Sequence, residues 1–166
     1  MNAQRFTRLD KLRLRLEAQN ACLGWAFGEI AGRPGPVFEL GLGHGRTYDH
    51  LRTHLPNRDI YVFDREIDCY EDCIPPADRT FLGEIEETLK AAAVRFPNKA
   101  VLVHSDMGSY TEAHNAAMSE RLSRLLPAVL APGGIVVSDL PLSMVGATAL
   151  PLPVGAQDGR YFLYRA

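Results

Sequence analysis

Short apolar runs alternate with segments of helical periodicity along most of this 166-residue chain. The apolar runs, which predict strands, span 37–40, 60–63, 80–82, 100–103 and 135–137. The periodic segments, which predict helices, span 47–55, 85–95 and 111–130. Strands that are separated by helices form parallel sheets with the crossover helices packed on their faces. The alternation therefore predicts a doubly wound α/β fold with a mostly parallel sheet.

The N-terminal part of the chain predicts an additional helix over residues 5–30, which the AGRPGP segment at 31–36 ends. Four apolar side chains recur there at helical spacing: Phe6, Leu9, Leu12 and Leu16. A chain of this length fits one domain and shows no linker. We therefore expect a single domain over 1–166, in which a helical leader (1–36) precedes the α/β core (37–166).

The C-terminal part of the chain departs from the strand–helix alternation. Residues 147–153 and 160–165 predict two strands, and the link around Gly155–Gly159 is too short for a helical crossover. These strands should therefore be antiparallel and form a hairpin at one edge of the sheet. With the five earlier strands, the sheet should contain about seven.

Composition narrows the classes of partner. A net charge of −2 provides no overall field that attracts nucleic acid or an anionic membrane. No apolar run reaches the roughly 20 residues of a membrane-spanning helix, and the N-terminus lacks the apolar stretch of a secretory signal. Three cysteines, an odd number, are typical of reduced thiols in a cytoplasm. We expect a cytoplasmic protein with a small-molecule partner, and neither nucleic acid nor a membrane.

The segment VFELGLGHGRTYDHL places Gly41, Gly43 and Gly45 between the first strand and the following helix. Glycine lets the backbone turn tightly and approach a ligand, and a helix N-terminus presents amides to anionic groups. In open α/β sheets, ligands bind at the carboxyl ends of the strands, where this loop lies. The spacing disfavours a nicotinamide-dependent oxidoreductase, because the dinucleotide fingerprint G-x-G-x-x-G needs its third glycine where Arg46 stands.

The E-x-G-x-G-x-G pattern of Glu39–Gly45 resembles the first motif of class I S-adenosylmethionine-dependent methyltransferases, which have a Rossmann-like core. Further matches follow in the order of the family: Asp64 after the second strand, Glu84 after the third, Asp106 after the fourth, and the segment 126–139 with its Pro-Gly-Gly turn. The resemblance covers about residues 37–166. It implies that the chain binds S-adenosylmethionine and that the glycine loop contacts this cofactor.

The resemblance implies a role for each matched residue. Asp64 would bind the ribose hydroxyls, which suits a carboxylate about 20 residues after the glycine loop, and Arg65 would flank the adenine. Glu84 would contact the adenine amino group, and Ile85 would supply a backbone amide and apolar cover. Helix capping is the simpler role for Asp64 and Glu84, and it does not exclude ligand contact. Glu39, which is costly to bury unpaired, would meet the ammonium of the bound methionine moiety.

Methyl transfer from a sulfonium is an in-line displacement, so the main task of the protein is to align the acceptor with the methyl group. A general base is needed only when the acceptor is protonated at the working pH. Asp106, at the end of the fourth strand, is the best candidate for this base and is also expected to contact the cofactor; His104 and His114 are the alternatives. Metal-dependent O-methyltransferases carry an acid followed by Asn or Asp after the fifth strand, whereas this chain has Asp139-Leu140. Leucine is not a metal ligand, so we predict no metal site; the alternative is a magnesium ion held by Asp106 and Asp139 through waters.

We expect an enzyme that methylates a small-molecule acceptor. A non-catalytic S-adenosylmethionine-binding or assembly module is the alternative, because no inserted cap domain is visible that would enclose an acceptor. The available covers are the N-terminal helix, with Trp25 and Phe27, and the loop over 140–153. A second subunit of a homo-oligomer would also close the pocket.

Overall fold

The computed structural model describes residues 5–166 as a seven-stranded sheet with four α-helices on its faces. The helices are α1 (Arg8–Glu29), α2 (Arg46–His54), α3 (Ile85–Arg95) and α4 (Glu112–Leu125). The strands are β1 (Val37–Leu40), β2 (Ile60–Asp64), β3 (Thr80–Leu82), β4 (Ala100–Ser105), β5 (Leu130–Ser138), β6 (Thr148–Leu150) and β7 (Phe162–Arg165). Over the described residues, no helix combines the length and apolar character that crossing a membrane requires.

The strand order in the sheet is β3-β2-β1-β4-β5-β7-β6. Strands β1 to β5 pair in parallel, and β7 is antiparallel to both β5 and β6. The predictions of a doubly wound, mostly parallel sheet, an antiparallel C-terminal hairpin and an N-terminal helix are therefore confirmed. The strand order reverses between β1 and β4, and ligands of such sheets bind at the carboxyl ends of the strands at that point.

Each face of the sheet packs against two helices, because successive side chains of a strand point to opposite faces. Phe38 and Leu40 of β1 belong to the apolar core under α3 and α4, whereas Val37 belongs to the core under α1 and α2. Glu39 shares the face of Val37, so the same alternation buries a carboxylate beneath α1. This placement decides much of the candidate site below.

The predicted boundaries before β5 are wrong. Helix α4 ends at Leu125, and 126–128 form a short 3₁₀ turn with a proline near its start. Proline lacks the amide that a continuing helix would use, which explains the early end. Strand β5 already begins at Leu130, which pairs with Ala100, so the predicted turn over 131–134 is an irregularity inside the strand.

The N-terminal helix buries a different face from the one its apolar spacing predicted. The predicted apolar positions are exposed: Phe6, Leu9, Leu12 and Leu16. The side chains that α1 buries begin further along: Ala18, Gln19, Cys22, Leu23 and Ala26. Arg15 reaches Asp106 just after β4, so the turns before Arg15 extend past the carboxyl edge of the sheet. Those turns have no sheet beneath them to cover their leucines.

One guanidinium holds the segment between α1 and β1. Arg58, which lies between α2 and β2, donates to the carbonyl oxygens of Ile30 at 2.6 Å and Gly35 at 3.1 Å, and also to that of Arg33. Ile30 is the C-cap of α1, where carbonyl groups have no partner inside the helix. Arg58 therefore joins the end of α1 to the start of β1.

We expect Arg58→Met to lower the free energy of unfolding by about 2 kcal/mol, since hydrogen bonds from a charged donor contribute roughly 1.5–3 kcal/mol. Arg52→Met is the matched control, because Arg52 pairs with Asp49 at 2.7 Å on an exposed helix face. Such exposed pairs contribute about 0.5 kcal/mol. Urea unfolding measures both variants, and equal losses would contradict the role of Arg58.

Candidate functional site

A cavity of about 640 Å³ opens at the carboxyl ends of β1, β2 and β4. Every predicted site residue except Glu39 and Gly45 lines it: Gly41, Gly43, Asp64, Arg65, Glu84, Ile85 and Asp106. Side chains from α1 and α4 complete two of its walls: Arg15, Leu16, Gln19, His114, Met118 and Arg121. The topology thus brings together residues that are widely separated in the sequence.

Close packing explains two glycines of the loop. Gly41 has a φ of +87°, and a Cβ there would lie 2.7 Å from the carbonyl oxygen of Asp106. Gly45 is the N-cap of α2 with a φ of +89°, and a Cβ there would lie 2.5 Å from Cβ of Cys73. Gly45 therefore makes room for the segment after β2 and does not face the cavity. Gly43 is exposed in the cavity lining, where its backbone is accessible to a ligand.

The carboxylates of Asp64 and Glu84 are engaged differently. Asp64 accepts hydrogen bonds from the amides of Leu42 at 2.8 Å, Gly43 at 3.3 Å and Arg65 at 2.6 Å. It holds the glycine loop and keeps capacity for a ligand, since a carboxylate has about four acceptor sites. Glu84 occupies the N-cap position of α3, but its side chain makes no capping hydrogen bond. Its exposed carboxylate is therefore available to a ligand in the cavity.

Glu39 is fully buried, and its partner lies inside the protein. Nδ1 of His104, its neighbour on β4, donates to Oε2 of Glu39 at 2.7 Å. The amide nitrogen of Gln19 on α1 lies 3.2 Å from the other ring nitrogen of His104 and donates to Oγ1 of Thr47 at 3.1 Å. The predicted partner of Glu39 is thereby corrected. The imidazole takes the place of a ligand ammonium, because Glu39 does not reach the cavity.

The two buried groups alter each other's protonation. Burial raises the pKa of Glu39, and the neighbouring imidazole only partly opposes this. Burial acts to lower the pKa of His104, but the Glu39 carboxylate, with smaller contributions from the charges of Asp106 and Asp139, outweighs it, so the pKa of His104 is raised. The pair therefore keeps a proton to higher pH in the folded protein than its side chains do in the unfolded chain.

A second charged cluster joins α1 to the ends of β4 and β5. Arg15 forms an ion pair with Asp106, which faces the cavity. Asp139, after β5, accepts hydrogen bonds from the amides of Met107 at 3.1 Å and Gly108 at 2.8 Å. Burial, and then the charge of Asp106, raise the pKa of Asp139 to about 6. Among residues 5–166, no group of three or more acidic, histidine or cysteine side chains is arranged to hold a metal ion.

The N-terminal helix lines the cavity as predicted, but through other residues than those proposed. Trp25, Phe27 and the loop over 140–153 do not line it, whereas Arg15 and Gln19 do. Phe27 instead packs on two histidine rings of α2. Arg15 and Gln19 were absent from the predicted site, although Gln19 is a polar interruption of an otherwise apolar helix face, which is a signal in the sequence. Cover by a second subunit stays a prediction.

The buried pair predicts a pH dependence of stability. A group whose pKa is higher in the folded than in the unfolded state stabilises the fold at low pH, and this contribution is lost as the pH rises. The free energy of unfolding of the wild type should therefore fall as the pH rises above about 6.5, the ordinary pKa of histidine. In Glu39→Gln, burial lowers the pKa of His104 and only the smaller effects of the Asp106 and Asp139 charges oppose it, so the fall should be much smaller. Urea unfolding at a series of pH values measures this.

Glu17→Gln is the matched control for Glu39→Gln, because Glu17 pairs with Arg13 at 2.7 Å on the exposed side of α1. This control should keep the wild-type fall in stability. An undiminished fall in Glu39→Gln would contradict the assignment of the pH dependence to the buried pair.

Comparison with known proteins gives a match over almost the whole chain. The family model described as S-adenosyl-L-methionine methyltransferase matches residues 6–166. A solved S-adenosyl-L-methionine methyl transferase from Silicibacter pomeroyi DSS-3 is 45% identical with a TM-score of 0.93, and the match covers 97% of this chain and 99% of that one. None of the curated proteins matches the sequence significantly.

Two more distant structures share the fold. Human methyltransferase-like protein 13, solved with S-adenosylhomocysteine, is 13% identical with a TM-score of 0.59 and coverage of 90% of this chain and 81% of that one. MycE from the mycinamycin biosynthetic pathway, solved with magnesium and S-adenosylhomocysteine, is 20% identical with a TM-score of 0.52 and coverage of 78% and 34%. The family match confirms the resemblance seen in the glycine loop. The chain belongs to the S-adenosyl-L-methionine methyltransferase family.

Proposed function

We propose that the protein transfers the methyl group of S-adenosylmethionine to a small-molecule acceptor by in-line displacement. Membership of the family identifies S-adenosylmethionine as the methyl donor and methyl transfer as the reaction. The proposal adds that the acceptor is a small molecule. The observation that supports it is the cavity of about 640 Å³ beside the glycine loop, a volume in the small-molecule range that must admit both the donor and the reacting group of the acceptor. The net charge of −2 also disfavours a polyanionic acceptor such as nucleic acid.

The cavity residues fit the donor. Glu84 offers an uncapped carboxylate to the adenine amino group, next to the buried Ile85 and the exposed Arg65. Asp64 would accept hydrogen bonds from the ribose hydroxyls while it continues to hold the glycine loop. When bound, S-adenosylmethionine supplies a methyl group that its sulfonium already activates. The task of these side chains is therefore to hold the nucleoside in one orientation.

Asp106 is our candidate for the base that a protonated acceptor requires. It faces the cavity just after β4, between Arg15 and Asp139. The neighbouring Asp139 has its pKa raised to about 6 by burial and then by the charge of Asp106. His104 is not suited to this role, since it is fully buried and bonded to Glu39.

The donor site is tested by substitution of Asp64. Asparagine at this position keeps one carbonyl oxygen for the amide of Leu42 but cannot accept bonds from both ribose hydroxyls. We therefore expect Asp64→Asn to weaken S-adenosylhomocysteine binding by about 10- to 100-fold. Asp68→Asn, in the exposed part of the same loop, is the control and should bind like the wild type. Calorimetry measures both, and unchanged affinity of Asp64→Asn would contradict the ribose contact.

A non-catalytic binding module is the alternative, and turnover separates the two. With a library of small hydroxyl, amine and carboxylate compounds, we expect the wild type to produce S-adenosylhomocysteine. Asp106→Asn should slow the reaction with a hydroxyl acceptor by about 100-fold or more, because it removes the base. Asp158→Asn, an exposed residue that does not line the cavity, is the control. Cofactor binding without product from any acceptor would favour the module.

A further inference from the structure

Arg15 is the cation that α1 presents to the cavity, and the proposed function leaves it without a ligand. Its Nη2 donates to Oδ1 of Asp106, and its guanidinium lies 5.8 Å from the ring centroid of the buried Tyr161. A guanidinium carries five N–H donors, so those not directed at Asp106 remain for a molecule in the cavity. The side chain is 34% exposed, and partial shielding of this kind strengthens its attraction for an anion.

The position of Arg15 is fixed by the packing of α1. Gln19, one turn later, is held by Thr47 and His104 on the sheet side of the helix. Residues four apart lie on the same face of a helix, so Arg15 projects in the same direction from the preceding turn. That turn lies above the carboxyl edge of the sheet, where the cavity opens. Arg15 is therefore placed by buried contacts.

The cavity has two distinguishable ends. Arg65 and Glu84 lie at the end formed by β2 and β3, where the proposed function places the adenine. Gly41 lies at the opposite end, because a Cβ on it would approach the carbonyl oxygen of Asp106 to 2.7 Å. Arg15 contacts Asp106 and so belongs to the end of Gly41. An adenosyl donor aligned in this direction directs its methionine moiety towards Arg15.

Two other arginines of the lining have partners elsewhere. Arg46 lies over the ring of Tyr70 at 6.0 Å and donates to its hydroxyl at 3.4 Å. Arg121 lies 3.6 Å from Glu86 on α3. Neither contacts Asp106 in the structure, whereas Arg15 does. Arg15 is therefore the cation best placed to meet an anionic group at the Gly41 end of the cavity.

We propose that Arg15 binds the α-carboxylate of the donor's methionine moiety, so that α1 completes the donor site. Guanidinium and carboxylate groups are both planar and form paired, charge-assisted hydrogen bonds. This inference rests on the proposed function, because the direction of the donor follows from Asp64 and Glu84. In this proposal the N-terminal helix binds the carboxylate of the donor, a contact that neither the glycine loop nor the acidic residues at the strand ends provide.

The test compares two ligands that differ in the methionine moiety. S-adenosylhomocysteine has the α-carboxylate, whereas 5′-methylthioadenosine keeps the adenosine and the thioether and lacks the amino-acid group. Arg15→Met should weaken S-adenosylhomocysteine binding by about 10- to 100-fold in calorimetry. Its effect on 5′-methylthioadenosine should be no more than about twofold. Arg13→Met is the matched control, since Arg13 pairs with Glu17 on the exposed side of α1.

The double variant Arg15→Met/Asp106→Asn separates the lost cation from repulsion by an unpaired Asp106. Arg15 pairs with Asp106, so the single variant leaves this carboxylate uncompensated. The reference for the double variant is Asp106→Asn alone, because Asp106 also faces the cavity. Weaker S-adenosylhomocysteine binding by the double variant than by Asp106→Asn would support the carboxylate contact, and equal binding by the two would overturn it. Equal weakening of both ligands by Arg15→Met would also overturn it, since that result means a structural role for α1. A wild type that binds neither ligand would refute the proposed function itself.

Discussion

The buried pair of Glu39 and His104 is the interaction on which the rest of the site depends. Two adjacent central strands bring a carboxylate and an imidazole to 2.7 Å from each other, and both side chains are fully buried. Loss of one partner leaves the other uncompensated, which typically costs about 3–5 kcal/mol. The second ring nitrogen of His104 contacts Gln19, so a polar contact of the sheet also determines where α1 lies.

This contact makes α1 a wall of the cofactor cavity. The sequence predicted a helical leader over residues 1–36 within a single domain, because a Gly/Pro segment ends the helix there. In the structure, α1 shares an apolar core with strands β1, β2, β4, β5 and β7. Arg58 fastens the end of the helix to β1, and Gln19 fastens its middle to the sheet. The cavity is consequently shaped by a segment that carries none of the motif residues.

Local patterns predicted those features that depend on short stretches of the chain. Periodicity located the strands, and the motif spacing located Asp64 and Glu84 at strand ends, which parallel topology then brings to one edge. The partners of Arg15 and Gln19 were not predictable in this way. They lie 91 and 85 residues along the chain, and the contacts exist only because α1 docks with a particular face. The partner of Glu39 was also not predictable from a local pattern, because His104 lies 65 residues further along the chain. The sequence therefore predicted a ligand ammonium as that partner.

A crystal structure with bound S-adenosylhomocysteine tests most directly whether this framework is a preformed donor site. We expect the adenosine to lie against Asp64 and Ile85, with the Glu39–His104 hydrogen bond intact and α1 in the position described above. A nucleoside bound away from the glycine loop would contradict this, and so would an α1 displaced from the sheet with the contact between Gln19 and His104 broken.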